Sequence, residues 1–168
     1  MTVCVTGHRS KGFPFLRDRQ DASYLAYCAR LREEIEQCIE DGYTVFLTGM
    51  AEGADLDFAS CVASLIEEGK NITLHAALPT PCTEQEHRKE HTQLRDSLLS
   101  RCSDIHIVSP HYHAGCMHKR NLYMVEKADL VLAIWNGEEQ GGTWHTIQAA
   151  RKKQKPIRYI LLSEIKTG

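Results

Sequence analysis

The sequence predicts an α/β domain in which a mainly parallel sheet of about six strands is covered by helices on both faces. Short apolar runs rich in Val, Ile and Leu alternate with longer stretches whose apolar residues recur at helical spacing. Because most of the runs are apolar almost throughout, we expect strands that are buried on both faces, as in a parallel sheet. No linker, low-complexity tract or repeat interrupts the series. We therefore predict one three-layer domain over residues 1–168.

Turn-forming residues bound the predicted strands in order. The first run, TVCVT, ends at Gly7, and the second, YTVFLT, follows Gly42. Prolines close the third and fourth runs and precede the sixth. The fifth run, LVLAIW, is too short for a typical helix and ends at Asn136-Gly137. The predicted strands are residues 2–6, 43–48, 72–78, 105–108, 130–135 and 157–162.

The segments between the strands are predicted to be helices. Asp21 or Ser23 caps the first, whose apolar stripe ends at Asp41-Gly42. Thr83 and Glu86 form a capping-box pattern for the third, which is strongly charged. The predicted helices are about residues 21–40, 56–69, 84–101, 119–127 and 143–153.

Composition limits the class of protein. The 168 residues are 42% hydrophobic, which is enough to bury a core. A net charge of −2 gives no support for a general nucleic-acid surface, which would usually be clearly basic. We see no signal peptide, and no uncharged apolar run approaches the ~18 residues of a membrane span. We therefore expect a cytoplasmic protein without a membrane segment.

The cysteines are predicted to be reduced thiols. There are seven, an odd number, and no two of them form a CxxC pair. Most fall inside predicted strands or helices, as partly buried thiols of a cytosolic protein do, so we do not expect a disulfide framework.

Glycine-rich or polar turns follow three of the predicted strands. They are Gly7-His8-Arg9, the segment from Gly49 to Asp55, and Gly141-Gly142-Thr143. Parallel strands present their carboxyl ends at one edge of the sheet, where such folds bind ligands. Glycines let the backbone approach a bulky anion, and a helix N-terminus supplies N–H groups and the positive end of a dipole. We therefore predict an anion or nucleotide site at this edge.

Individual side chains of these turns have both a functional and a structural interpretation. Arg9 is suited to bind a phosphate with two hydrogen bonds, and a surface ion pair is the alternative. Glu52 is a candidate for a ribose hydroxyl, whereas capping of the following helix is the stronger expectation for Asp55. Arg120 and Asn121, placed at the start of the predicted fourth helix, provide a second phosphate contact or brace the loop.

Aromatic and histidine residues near the turns raise two further possibilities. Either Trp144 or His145 could stack on a base, and the alternative for Trp144 is packing under the sheet rim. Five potential metal ligands lie close together in sequence: His106, His111, His113, Cys116 and His118. Their spacing matches no compact zinc site, so we expect no metal. We expect instead a loop that closes over the ligand, with histidines supplying hydrogen bonds.

Four segments carry a family resemblance. They are VTGHR from Val5, TGMAEGAD from Thr48, KRNLYMV from Lys119 and GGTWHTI from Gly141. Together they resemble the SLOG superfamily of Rossmann-like proteins and, within it, the YpsA-like family, in order over nearly the whole chain. The resemblance implies a Rossmann-like domain that binds a nucleotide or nucleotide-derived ligand, and it implies no settled reaction.

Some relatives in this superfamily look like phosphoribohydrolases, which cleave the N-glycosidic bond of nucleoside monophosphates. Their signature is a glycine-rich turn followed by Thr-x-x-Glu. Counted from Thr143, the glutamate position holds Thr146, and a register shifted by two residues places Gln148 there. Neither side chain can act as a general base or stabilise an oxocarbenium charge as a carboxylate does. Glu52 or Asp55 on the neighbouring turn could replace the missing group.

Three functional hypotheses result. The leading one is a sensor or carrier that binds a nucleotide-derived small molecule, with no other cofactor indicated. The alternative is a hydrolase of nucleotide N-glycosidic bonds with Glu52 or Asp55 as the catalytic residue. The third is single-stranded DNA binding, as in DNA-processing relatives of the superfamily, and the acidic balance counts against it. A helix-mediated homodimer is also expected from related folds.

The predicted ligand-binding residues come from all of these segments. They are Gly7, His8, Arg9, Gly49, Glu52, Gly53, Arg120, Asn121, Gly141, Gly142 and Thr143.

Overall fold

Strands and helices alternate along the chain. A computed structural model of the protein describes residues 1–81 and 89–165, and only the backbone of residues 89–92. The strands are β1 (Thr2–Gly7), β2 (Val45–Thr48), β3 (Thr73–Leu78), β4 (Asp104–Ile107), β5 (Leu130–Trp135) and β6 (Ile157–Leu161). The helices are α1 (Ala22–Glu40), α2 (Ala54–Glu67), α3 (Lys89–Leu99), α4 (Cys116–Lys127) and α5 (Gly141–Lys152). Short 3-10 turns lie at Ser10–Gly12 and Leu162–Glu164.

The six strands form one sheet in the order β4-β3-β2-β1-β5-β6, and every neighbouring pair is parallel. The predicted parallel α/β sheet is therefore confirmed. The chain builds outward from β1 to β4 and then returns to the other side of β1, where Gly7 pairs with Ile134 of β5. In open α/β sheets, such a reversal of strand order is where ligands bind, here at the carboxyl ends of β1 and β5.

Side chains of each central strand point alternately to two helical layers. Val3 and Val5 of β1 pack into the larger core, with residues of α1 and α2. Cys4 faces the opposite way, into a smaller core with Met124 of α4 and Ala150 of α5. The three-layer Rossmann-like architecture follows from this alternation.

The edge strand β4 departs from the expectation that helices cover the strands on both faces. All its residues are exposed, including Ile105 and Ile107. The main contacts of α3 among the other elements are with α2, so this helix does not bury β4. On the other face, the ring of His106 stacks on that of Tyr123 in α4 at a centroid distance of 4.1 Å.

Helix starts differ from the predicted ones by a few residues. α4 begins at Cys116 rather than near 119, because Gly115 takes a left-handed conformation (φ 86°) and serves as its N-cap. α2 begins at Ala54, directly after Gly53. The predicted start of the third helix, with Thr83 and Glu86, lies outside the described residues.

Two global features of the described residues bear on the sequence predictions. No helix among them is long and apolar enough to cross a membrane. Their cysteines are free thiols, whereas Cys82 lies outside the described part of the chain.

Candidate anion-binding site

The exit of β1 is hydrogen-bonded to the start of α2 and to the residue that follows β5. The backbone N–H of Ala54 donates to the carbonyl oxygen of His8 at 3.0 Å, which joins the exit of β1 to the start of α2. The backbone N–H of Asn136 donates to Nε2 of His8, also at 3.0 Å, and its side-chain amide donates to the carbonyl of Gly12. His8 therefore connects the exit of β1 to the Gly49–Asp55 segment and to the residue that follows β5.

Gly7 and Gly53 are required by the close approach of these turns. A Cβ atom on Gly7 would lie 2.4 Å from Cβ of Ala54. A Cβ atom on Gly53 would lie 2.4 Å from the carbonyl oxygen of His8, and Gly53 also has a φ of 103°, which other residues rarely adopt. Both glycines thus shape the rim by letting backbone and helix pack directly against each other.

Arg120 reaches from α4 across the ends of β2 and β3. Its Nη1 donates to the carbonyl of Gly49 at 2.6 Å and points toward that of Ala77 at 3.4 Å. A Cβ atom on Gly49 would meet both this guanidinium, at 2.6 Å, and Oδ2 of Asp55, at 2.8 Å. Because Gly49 has no side chain, the buried Arg120 guanidinium and the buried Asp55 carboxylate can both lie against it.

The charges of Arg120 and Asp55 depend on each other. Burial raises the pKa of the Asp55 carboxyl, and the Arg120 guanidinium opposes that shift. Burial likewise lowers the pKa of Arg120, and the Asp55 charge opposes it. The charge of Arg9 lowers both pKa values, so its guanidinium lies within electrostatic reach of this pair.

Arg9 itself is exposed, and its side chain forms no hydrogen bond or ion pair with any residue that the structure describes. The alternative interpretation of Arg9, a surface ion pair, therefore has no partner among the side chains that the structure describes, those of residues 1–81 and 93–165. A guanidinium presents five donors, so Arg9 is available to an incoming anion.

Glu52 is turned toward the protein. Its carboxylate accepts from the backbone N–H of Ser10, at 3.2 and 3.3 Å, and from the Ser10 hydroxyl. Arg17 donates to the same hydroxyl at 2.8 Å and lies 3.7 Å from Oε1 of Glu52. This carboxylate thus holds the 3-10 turn after β1, and its predicted ribose contact would have to compete with these bonds.

The network around Arg17 was not predicted from the sequence. Arg17 pairs with Asp57 on α2, and the Tyr27 hydroxyl donates to the second oxygen of Asp57 at 2.9 Å. The guanidinium also lies 5.1 Å from the ring centroid of Phe13. Forty residues separate Arg17 from Asp57, so the only available signal was an arginine in the loop before α1 and acidic residues in the first turn of α2.

The start of α5 is open to solvent. Gly141 and Gly142 are its first residues, and a Cβ atom on either would meet nothing within 4 Å. The N-cap residue Gln140 provides no side-chain hydrogen bond to the helix. Thr143 is buried and forms no side-chain hydrogen bond with a described residue. The first N–H groups of α5 therefore keep their donor capacity for a ligand.

The predicted site residue Asn121 has a structural partner, and so does Thr146, which occupies the glutamate position of the phosphoribohydrolase-like relatives. Asn121 accepts from Nε of Arg120 at 2.9 Å and so orients the guanidinium. Because α4 begins at Cys116, the prediction that Arg120 and Asn121 start this helix is wrong. Thr146 donates to the carbonyl of Gly142 at 2.9 Å, one turn back in α5.

Trp144 packs within the protein. Its ring stacks on Trp135 at a centroid distance of 5.5 Å, and the guanidinium of Arg151 lies 5.3 Å from its centroid. His145 is exposed.

In the loop before α4, Ser109 and His113 share a hydrogen bond of 3.0 Å. No group of three His, Cys, Asp or Glu side chains in the described part of the chain is placed to hold a metal ion.

The hydrogen bond from Asn136 to the His8 ring predicts that the protein loses stability in mild acid. Burial lowers the pKa of His8 below its ordinary value of 6.5, and the neutral ring accepts from Asn136. The unfolded chain therefore binds a proton first, and stability present above pH 6.5 is lost as the pH falls toward the folded-state pKa. The expected loss is at most about 1.4 kcal/mol per pH unit. Urea unfolding of the wild type and of His8→Gln between pH 8 and pH 5 measures it.

In that experiment, His8→Gln keeps an acceptor and does not titrate, so its stability relative to the wild type should improve as the pH falls. A constant difference between the two proteins over this range would contradict the role given to His8.

Comparisons with known proteins agree with this architecture. The YpsA family model, described as "YspA SLOG family", matches residues 3–165. A UPF0398 protein of Bacillus pumilus (strain SAFR-032) is 28% identical over 170 residues, covering 98% of this chain and 89% of its own. A UPF0398 protein of Bacillus thuringiensis (strain Al Hakam) is 26% identical over 143 residues, covering 80% and 77%. The chain therefore belongs to the YpsA family of SLOG proteins.

Proposed function

We propose that the protein binds a nucleotide or nucleotide-derived small molecule at the crevice between β1 and β5, as a sensor or carrier. The observation that carries the proposal is a set of guanidinium donors at this edge that no described oxygen accepts. Arg9 has no side-chain partner among the described residues, and Nη2 of Arg120 has no oxygen acceptor there. Phosphate oxygens are the acceptors that two guanidinium groups fit best.

The start of α5 supports the same ligand. Its first N–H groups are uncapped, and the space beside Gly141 and Gly142 is empty. A helix N-terminus at the point where strand order reverses is the usual place for a phosphate in a Rossmann-like sheet. Membership of the SLOG family supports a nucleotide-related ligand rather than a simple inorganic anion.

The carboxylates at this edge favour binding over hydrolysis. Hydrolysis of an N-glycosidic bond needs a carboxylic acid or carboxylate aimed at the sugar. Glu52 instead accepts from Ser10, and Asp55 is buried and accepts from the backbone N–H of Ala51 at 3.3 Å. Thr146 is hydrogen-bonded within α5. No described carboxylate of the β2–α2 turn is left without a protein partner.

Replacing Arg9 by glutamine is expected to weaken the binding of ADP about tenfold or more, because a charge-assisted hydrogen bond contributes about 1.5–3 kcal/mol. Stability should stay within about 0.5 kcal/mol of the wild type, since the side chain has no partner among the described residues. Isothermal titration with ADP, AMP and adenosine measures the first effect, and urea unfolding the second.

Arg19→Gln is the matched control. Arg19 is also exposed, and its replacement by glutamine removes the same charge from the loop before α1. Equal losses in both variants would show a general electrostatic effect. Adenosine binding as tightly as ADP would contradict the proposed phosphate contacts.

Native mass spectrometry of freshly purified protein tests for a ligand carried through purification. The same spectra report the mass of the assembly, and so test the homodimer, which stays a prediction. Incubation with nucleoside monophosphates and NAD-like compounds covers the hydrolytic alternative. Release of free base that is lost in Glu52→Gln would replace the binding proposal by catalysis.

A further inference from the structure

A methionine covers the outer side of Arg120. Nη1 and Nε of this guanidinium donate to the Gly49 carbonyl and to Asn121. Among the described residues, the acceptor for Nη2 is the thioether sulfur of Met117, 3.8 Å away and one turn earlier on α4. A thioether is a weak acceptor, so the outward donor of Arg120 is almost unused.

Met117 is exposed where two other methionines are not. Met117 is 41% exposed, whereas Arg120 beneath it is 4% exposed. Met50 and Met124 are only 1% and 3% exposed, and Met1 at the chain start is 59% exposed. Of the four methionines in the sequence, an oxidant in solution therefore reaches Met1 and Met117 first.

Five of the described cysteine thiols compete poorly for the same oxidant. Burial raises the pKa of most described thiols, namely those of Cys4, Cys28, Cys38, Cys61 and Cys102. The values for Cys38 and Cys102 rise to about 11. Because the thiolate is the reactive form, these side chains stay protonated and slow to react at neutral pH. Oxidation of a thioether has no such requirement.

We propose that Met117 is an oxidation site whose sulfoxide binds Nη2 of Arg120 and thereby competes with an anionic ligand. A peroxide transfers one oxygen atom to Sδ, so that the sulfur is oxidised by two electrons and hydrogen peroxide is reduced to water. An oxygen on the side of Arg120 shortens the 3.8 Å gap to the ordinary hydrogen-bond range of about 2.7–3.2 Å. The new bond is charge-assisted and therefore stronger than the thioether contact.

The effect of this sulfoxide on binding rests on the proposed function, because Nη2 is the donor assigned there to phosphate. The formation of the sulfoxide and its bond to Arg120 do not. A reductase for methionine sulfoxide would restore the thioether of Met117 and release Nη2 of Arg120, so the modification is reversible.

The test treats the wild type and Met117→Leu with dilute hydrogen peroxide. Peptide mass mapping then follows each methionine, and we expect Met1 and Met117 to gain one oxygen before Met50 and Met124. The thermal unfolding midpoint of the wild type should rise on oxidation and that of Met117→Leu should not, since only the wild type gains a bond to Arg120. ADP affinity of the wild type should fall about tenfold or more, and that of Met117→Leu should be insensitive to peroxide.

Oxidation of Met117 no faster than that of Met50 would overturn the proposal, as would equal changes of the unfolding midpoint in both proteins. If ADP binds neither protein before oxidation, the proposed function fails, and the order of oxidation and the midpoints still decide the present proposal.

Discussion

Replacement of Arg120 by methionine is expected to lower the free energy of unfolding by about 3–5 kcal/mol. The carboxylate of Asp55 would stay buried without the Arg120 charge that opposes the rise of its pKa, and the carbonyl of Gly49 would lose its donor. Urea unfolding followed by circular dichroism at pH 7 measures the change.

Two variants show whether the loss comes from the buried charge. Arg9→Met removes an exposed guanidinium at the same edge and should cost no more than about 0.5 kcal/mol. Adding Asp55→Asn to Arg120→Met should recover part of the stability, because no buried charge is then left unpaired. If Arg120→Met is as stable as Arg9→Met, the arginine is not part of the fold of this edge.

Gly53→Ala is expected to cost about 2–4 kcal/mol, from a strained backbone and from a direct clash. The φ of Gly53 is 103°, and the new Cβ atom would lie 2.4 Å from the carbonyl of His8. The same urea experiment measures the loss.

Gly69→Ala separates the two causes. Gly69 has nearly the same φ, 99°, but a Cβ atom there would meet nothing within 4 Å. It should therefore show only the cost of the backbone conformation, which exceeds about 0.4–1 kcal/mol. Equal losses at Gly53 and Gly69 would mean that the contact between the β1 exit and α2 contributes nothing.

Much of the fold could be predicted because the strands are buried on both faces. Residues 130–135 form an uninterrupted apolar run, and all but Trp135 are buried in β5. Helix starts were harder to predict, because α2 and α4 begin after Gly53 and Gly115 and have no side-chain cap. The usual signal of Ser, Thr, Asp or Asn before the helix is missing at both positions.

The position of the candidate site could be predicted, whereas the partners of its side chains could not. Glycines after β1, β2 and β5 indicate one edge, since parallel strands end together. The bond of Glu52 to Ser10 and the pairing of Arg17 with Asp57 join residues about forty positions apart. Such partners depend on how α2 packs against the loop after β1, which local patterns do not report.

The same limit applies to Arg120. Its place in the sequence suggested the first residue of a short helix, whereas an extra turn of α4 carries it inward over Gly49. No pattern in the sequence indicated that Met117 would be exposed beside Arg120.

The most direct test of the anion cradle is a titration of 15N-labelled protein with ADP, followed by amide NMR shifts. If the ligand lies at the crevice between β1 and β5, the largest shifts belong to Arg9, Gly53 and the Gly141-Gly142-Thr143 turn, and adenosine gives none of comparable size. Shifts centred on the groove between α1 and α2, near Cys28 and Cys61, or equal responses to ADP and adenosine, would contradict the account.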